Sequence, residues 1–255
     1  MIFGIRAIIE AIEAGVDIDK IYLKRESNSA LMEELRKSIG LRRIPIRRVP
    51  VEKLNRLTRK NHQGVIAIKA ATTYYTLDQV IPVLYESGMD PFIVLLDGIT
   101  DVRNFGAIAR TCECAGVDAI VIFEQESVSV TGDAVKTSAG ALTRLPVCRE
   151  RSIGGALGYL KESGVRILGA SEKAEQTHVR ANYRGPMALV MGAEDTGLSK
   201  VSLDMVDGLV RIPLYGDIGS LNVSVAAGIL IYEAVKQRTE STSSDIQSRT
   251  KNLGQ

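Results

Sequence analysis

The chain has 255 residues, 45% of them hydrophobic and 24% charged, with a net charge of +2. This is close to the composition of an ordinary soluble globular protein, with room for one large domain or two modest ones. No apolar run approaches the roughly 20 residues needed to cross a bilayer. Three cysteines (Cys112, Cys114, Cys148) without a CxxC pair and two distant histidines (His62, His178) argue against a disulfide framework, a zinc site or a Ser-His-Asp triad.

In chain order, "GIRAIIEAIEAG" places Ile5, Ile8, Ile9 and Ile12 at helical spacing before a terminal Gly. "KIYLKR" and "IPIRRVP" read as short strands flanking a helix, "NSALMEELRKSIG", and "GVIAIKA" as a further strand. Residues 1–70 are thus expected to form a small α/β unit. Thirteen Lys and Arg stand between Lys20 and Lys60 against four Glu (Glu26, Glu33, Glu34, Glu52). That excess suits a polyanion surface, although a solvated face has the same composition. Residues 71–90, "ATTYYT" and a short helix near Pro82, read as a linker. Between 91 and 238, apolar strands ("FIVLLD", "DAIVIF", "VRILGAS", "MALVMG", "LVRIP") alternate with helices ("NFGAIARTCECAG", "SIGGALGYLKESG", "NVSVAAGILIYEAVKQR"). Continuous apolar strands of this kind predict a parallel sheet covered on both faces. Residues 239–255 lack apolar periodicity and read as a disordered tail. The N-terminus lacks a secretory pattern, so the expected location is cytoplasmic.

Three strand ends in the larger region carry loop-forming residues, where open α/β sheets bind ligands. In "DGITDVRNFGAIARTCECAG", Asn104 is a helix-cap candidate. Gly106 and Ala107 would leave the helix backbone open beside Arg110, whose planar fork suits a phosphate or a developing oxyanion. An Arg that only reaches for water is the plainer alternative. In "MALVMGAEDTGLS", Gly192 and Gly197 flank Glu194, as a ligand-binding turn or simply an acidic one. The spacing is not GxGxxG, so a dinucleotide fingerprint is absent, and no GxxxxGK[ST] occurs. In "IPLYGDIGSLNVSVAAG", Pro213 ends a strand. Ser220 and Asn222 are N-cap candidates for a helix whose apolar stripe is Val223, Ala227, Leu230 and Ala234. Small residues at Ala226, Ala227 and Gly228 imply a close neighbour.

Taken in order, "NFGAIAR", "GAEDTGLS" and "IPLYGDIGSLNVSVA", with "KTSAGAL" between the first two, resemble the three motifs of the SpoU-type RNA ribose 2′-O-methyltransferases of the SPOUT class. The N-terminal "GIRAIIEAI" and "HQGVIA" resemble the L30e-like RNA-binding domain of the branch that methylates a guanosine of 23S rRNA. The resemblance implies an α/β fold: a C-terminal parallel-sheet domain closed by a deep trefoil knot, plus a small L30e-like domain. Gly216, Gly219, Ala226, Ala227 and Gly228 would suit a crowded crossing. It also implies S-adenosylmethionine as cofactor, RNA (rRNA foremost) as partner, a homodimer built on the long C-terminal helix, and no metal or membrane. Arg110 would act at the reacting centre, with Asn104, Glu194, Ser220 and Asn222 as further catalytic-site residues. Asn104 would orient Arg110 or the RNA. Gly192, Gly197, Ile212, Ser220 and Leu221 would border the cofactor. A tRNA 2′-O-methyltransferase and a catalytically silent, ribosome-associated RNA-binding protein are the alternatives.

Overall fold

The computed structural model describes residues 1–25, 30–41, 44–124 and 128–252, with side chains to Glu240. Arg42, Arg43 and Glu26 of the basic segment lie outside the described residues. Two units separate, Met1–Thr73 with Ser129–Asp133, and Tyr74–Val128 with Ala134–Gln255.

The first unit runs β1 (Ile2–Phe3), α1 (Ile5–Glu13), β2 (Ile18–Lys24), α2 (Ala30–Leu41), β3 (Ile46–Val49), α3 (Val51–Leu57) and β4 (Val65–Lys69). Among the described residues its sheet has the order β1-β4-β2-β3, with β3 parallel to β2 and the other pairs antiparallel. The isoleucine stripe of α1 is buried with Met32, Leu35 and Ile39 of α2 against Ile21, Leu23, Val65 and Ala67 of the sheet. The opposite sheet face carries a smaller cluster, Val49, Leu54 and Ile66, with Phe3 and Tyr22 at its margin. Lys53 lies over the Tyr22 ring at 5.2 Å, and Arg47 and Arg48 of β3 are exposed. Lys53 and Arg47, which pairs with Tyr22, are therefore on this second face, and Arg48, which pairs with Leu23, on the first.

The second unit runs β5 (Tyr74–Tyr75), α4 (Leu77–Glu86), β6 (Phe92–Asp97), α5 (Val102–Cys114), β7 (Ala119–Phe123), α6 (Gly132–Thr137), β8 (Val147–Glu150), α7 (Ile153–Glu162), β9 (Arg166–Ala170), β10 (Met187–Gly192), α8 (Lys200–Met205), β11 (Gly208–Val210) and α9 (Val223–Asn252). Its sheet, among the described residues, is seven-stranded and parallel throughout, in the order β11-β9-β10-β6-β7-β8-β5. The expected parallel sheet is present, and its central strands are buried on both faces.

Residues 74–90 are not a free connector. β5 pairs with β8, and α4 buries Leu77, Ile81 and Leu84 in the core of the second unit. A capping box starts the helix, and its apolar face docks it. Thr76 and Gln79 satisfy each other's backbone N–H groups, and the Leu77 N–H donates to Glu150 Oε1 at 2.7 Å. The C-terminal helix likewise continues from Val223 to Asn252, through most of the segment read as a tail. The reading of a helix starting at Asn104 is corrected as well: Asp101 is the N-cap, its carboxylate accepting from the Arg103 and Asn104 N–H groups at 2.9 Å each.

β6 and β10 pair along their whole lengths, bringing Asp97 opposite Gly192. The chain leaves β6 toward β7 and β8 on one side and returns through β9 and β10 on the other, so the sheet switches direction at this pair. Asp97 is 8% exposed; its Oδ2 accepts from the Ser199 N–H at 2.7 Å and the Ser202 hydroxyl at 2.6 Å. It thereby ties the loop after β10 and the start of α8 to the end of β6. Asp97→Ala is expected to cost about 2–4 kcal/mol, because it strands two buried donors. The thermal midpoint should fall by roughly 5–15 °C, read by circular dichroism.

Candidate active site

The three motif loops meet at the carboxyl edge of this sheet. Asn104, at the start of α5, donates from Nδ2 to Glu194 Oε2 at 3.1 Å. Asn222, just before α9, donates from Nδ2 to Asn104 Oδ1 at 3.0 Å and to Glu194 Oε1 at 3.3 Å. One residue from each motif thus closes a hydrogen-bonded triangle across 90 and 118 residues of chain. Asn222 is also the cap of α9: its Oδ1 accepts the Ser224 N–H, and its carbonyl accepts from Ala226. Of the two cap candidates it is Asn222, not Ser220, that serves. α9 packs on α5, but a Cβ on Gly228 would sit in ordinary contact, 4.0 Å from Thr111 Cγ2, so the glycine there is not enforced by a close neighbour.

Beside the triangle lies a cleft of about 330 Å³ at the carboxyl ends of β9, β10 and β11. Gly192, Gly197, Ile212, Ser220 and Leu221 all line it, as does Glu194. Its apolar walls include Met191, Val210, Val223 and Leu230, and its charged rim includes Lys173, Asp195 and Arg211. Such a cavity falls at the lower end of the size range of small-molecule sites. Arg110 and Asn104 are not among its walls. Arg110 is exposed on α5 and, among the described residues, has no hydrogen bond or ion pair. Asn104 holds Glu194 and Asn222 and makes no bond to Arg110, so an orienting role toward that Arg has no contact behind it.

The glycines divide sharply. A Cβ at Gly192 would coincide with the main chain of Gly197 and Leu198, so the turn Ala193–Gly197 can fold back only on a glycine. That turn is closed by reciprocal bonds, Ala193 N to Gly197 O at 3.0 Å and Gly197 N to Ala193 O at 2.9 Å. Gly197 itself sits at φ +69. At Gly106 the expectation of an open helix surface is corrected, because a Cβ there would strike Thr137 of "KTSAGAL". The glycine lets α6 abut α5. At Gly216 and Gly219 a Cβ would meet nothing within 4 Å, so these loop glycines are not enforced by crowding.

Of the three thiols, Cys112 and Cys148 are buried and Cys114 is exposed. Burial pushes the Cys148 thiol up to about 12 and raises Cys112 further. Among the described residues no cluster of His, Cys, Asp or Glu could hold a metal ion, and no helix is long and apolar enough to cross a membrane.

A parallel α/β domain with its motif loops gathered at the carboxyl edge is the SPOUT methyltransferase fold. The crystal structure of the SpoU methyltransferase AviRb from Streptomyces viridochromogenes, in complex with AdoMet, superimposes with a TM-score of 0.60 at 26% identity, over 94% of this chain and 90% of that one. The A. aeolicus TrmH/SpoU tRNA modifying enzyme gives 0.56 at 29% identity, over 65% of this chain and 86% of that one. The chain belongs to the SpoU rRNA methylase family, whose pattern matches residues 91–232; the pattern of RNA 2′-O ribose methyltransferase substrate binding matches residues 1–75. A relative from Xanthomonas campestris pv. campestris, 23S rRNA (guanosine-2′-O-)-methyltransferase RlmB, is 34% identical over 93% of this chain and 96% of its own length.

Proposed function

We propose that this protein transfers the methyl group of S-adenosylmethionine to a ribose 2′-hydroxyl of RNA, and that its target is a guanosine of 23S rRNA. The observation that carries the reading is the Asn104–Glu194–Asn222 triangle at the lip of the cleft. The residues present fit the methyl donor. The glycine-dependent turn at Gly192 and the apolar walls at Ile212 and Leu221 offer an adenosine a flat slot with main-chain partners. Arg211 and Asp195 at the rim match the carboxylate and ammonium of an amino acid. When bound, the donor supplies an electrophilic methyl group on a sulfonium. In-line displacement then depends on positioning more than on acid–base power.

In this reading the triangle fixes the three loops in one arrangement, and Ser220 and Glu194 bound the side on which the ribose enters. Arg110 stabilises the 2′-alkoxide and its neighbouring phosphate. A guanidinium holds its proton too strongly to act as the base, so the 2′ proton goes to another acceptor. Residues after β11 would complete the deep trefoil knot of the class, which is consistent with the strand order.

The 23S assignment is supported by a relative of that name that spans both units; a relative named TrmH family tRNA/rRNA methyltransferase, from Bacillus subtilis, spans both as well, so the tRNA reading is kept as the second. Incubation with labelled S-adenosylmethionine and total RNA from a strain lacking the gene tests it. Label is expected at one guanosine ribose of the large-subunit rRNA. Label in tRNA would select the tRNA reading, and none in any RNA would leave only a silent binder.

The protein is further proposed to act as a homodimer. Val225, Ile229 and Tyr232 form an exposed apolar stripe on α9, and Tyr215 (96% exposed) and Ile218 (80%) are exposed in the loop before it. Ile229→Asp with Tyr232→Asp is expected to weaken self-association at least about a hundredfold by burying unpaired charge. Light scattering at micromolar concentration should then show a dimer for the parent and a monomer for the variant.

A further inference from the structure

After β11 the chain makes the loop "PLYGDIGS", residues 213–220. Its flanks belong to the methyl-transfer site, because Leu214, Gly219 and Ser220 line the donor cleft. Its tip is not used there. Tyr215, Asp217 and Ile218 are not among the cleft walls, and all three are exposed. Tyr215 is more exposed than any other large apolar side chain among the described residues. Asp217 has no hydrogen bond or ion pair among the described residues.

The fold itself does not require this composition. A Cβ on Gly216 or Gly219 would meet nothing within 4 Å, and neither glycine has a positive φ. No tight turn or close approach therefore demands them. What they supply is freedom of the main chain, which lets the tip settle onto something that arrives. An aromatic ring standing in water is a stacking surface for any nucleobase. Asp217 supplies the discrimination. A carboxylate only accepts hydrogen bonds, and beside a polyanion it is repelled unless it meets donors. The Watson–Crick edge of guanine presents two donors side by side, N1–H and the N2 amino group. Adenine and cytosine present one amino group next to an acceptor, and uracil one N–H between two acceptors. Both oxygens of a carboxylate are matched by guanine alone. The base of a nucleotide is carried on the carbon next to the one bearing the 2′-oxygen. A ribose seated beside Ser220 therefore brings its base to the adjoining tip.

We infer that Tyr215 and Asp217 form the site that recognises the base of the methylated nucleotide, and that this base is guanine. The Tyr215 ring stacks on it, and the Asp217 carboxylate accepts from N1–H and the N2 amino group. Ile218 adds apolar surface beside the ring. The inference rests on the RNA reading above and adds the residues that select the nucleotide.

The test compares the full-length protein with Asp217→Ala, Tyr215→Ala and Tyr215→Phe. The probes are two forms of the RNA fragment that spans the labelled nucleotide, one with guanosine there and one with inosine, which lacks only the N2 amino group. On the guanosine RNA, Asp217→Ala and Tyr215→Ala are each expected to lower kcat/KM at least about tenfold. Melting and calorimetric affinity for S-adenosylmethionine should not change, because neither side chain is packed or lines the donor cleft. Tyr215→Phe keeps the ring and should recover most of the loss. Inosine separates recognition from a structural role: it should cost the parent at least about fivefold, and Asp217→Ala less than about twofold, since the acceptor for the amino group is already gone. Parent kcat/KM in both alanine variants, an equal inosine penalty in the parent and Asp217→Ala, or a labelled nucleotide other than guanosine would each overturn the inference while the parent still methylates RNA. A parent that methylates no RNA fails the functional reading, and this inference with it. Light scattering of Tyr215→Ala should match the parent; a loss of self-association would give the loop to a second copy of the chain and overturn its assignment to the base.

Discussion

Arg110→Ala is expected to leave methyl-donor binding intact and to lower turnover at least about a hundredfold, the loss typical of removing one preorganised stabiliser of developing negative charge. The two effects separate because of where the residue sits. Arg110 does not line the cleft beside Gly192, so calorimetry with S-adenosylmethionine should give the parent affinity. Its helix is fixed by Phe105, Ile108, Ala109 and Cys112, all fully buried, and not by the exposed guanidinium. Alanine is also the stronger helix former, so melting should not fall. A cation without a partner among the described residues stands on the helix that carries Asn104, and developing negative charge would give it one. Arg110→Lys restores charge but not the planar fork, and its turnover should lie between the two. An alanine variant with parent turnover would remove Arg110 from the reacting centre.

The alternation of strands and helices after residue 91 is readable because each central strand is a continuous apolar run, which only a doubly covered parallel sheet accommodates. What escaped is short or depends on distant partners. β8 presents two apolar residues and then Arg149 and Glu150, too little pattern to distinguish from a loop; it becomes a strand by pairing with β7 and β5. α8 is six residues long and is nucleated by Ser199, held in turn by Asp97 from another strand. The helix near Pro82 is legible, its start marked by T-x-x-Q ahead of Leu77, Ile81 and Leu84; that its apolar face joins the core of the second unit depends on distant partners and is not.

At the site, the sequence marks the residues but not their bonds. Asn104, Glu194, Asn222, Gly192 and Ser220 stand out by motif, and six of the expected residues border one cleft. That Asn104 would hold Glu194 and Asn222, with Asp101 capping the helix in its place, depends on loops 90 and 118 residues apart. Gly106 has the same lesson. A small residue in a helix advertises a close approach but not its partner, and the partner is Thr137.

Gly192→Ala is expected to abolish measurable donor binding and to cost about 3 kcal/mol or more. The added methyl would overlap the main chain of Gly197 and Leu198 rather than the end of a flexible side chain. It can be accommodated only by pulling the turn away from the end of β10, which breaks both bonds between Ala193 and Gly197. The same turn forms one wall of the cleft and carries Glu194, so displacement removes the donor's seat and opens the triangle together. Two neighbouring glycines supply the scale. Gly197→Ala meets no atom but keeps φ +69, a left-handed strain of about 1–2 kcal/mol. Gly219→Ala meets nothing and has no positive φ, so its stability should stay within about 0.5 kcal/mol of the parent. Chemical denaturation of the three variants should therefore rank them 192, 197, 219 in falling severity. A Gly192→Ala protein as stable as Gly219→Ala would mean that the turn does not close on the strand as it does here, and the cleft would lose the wall on which donor binding depends.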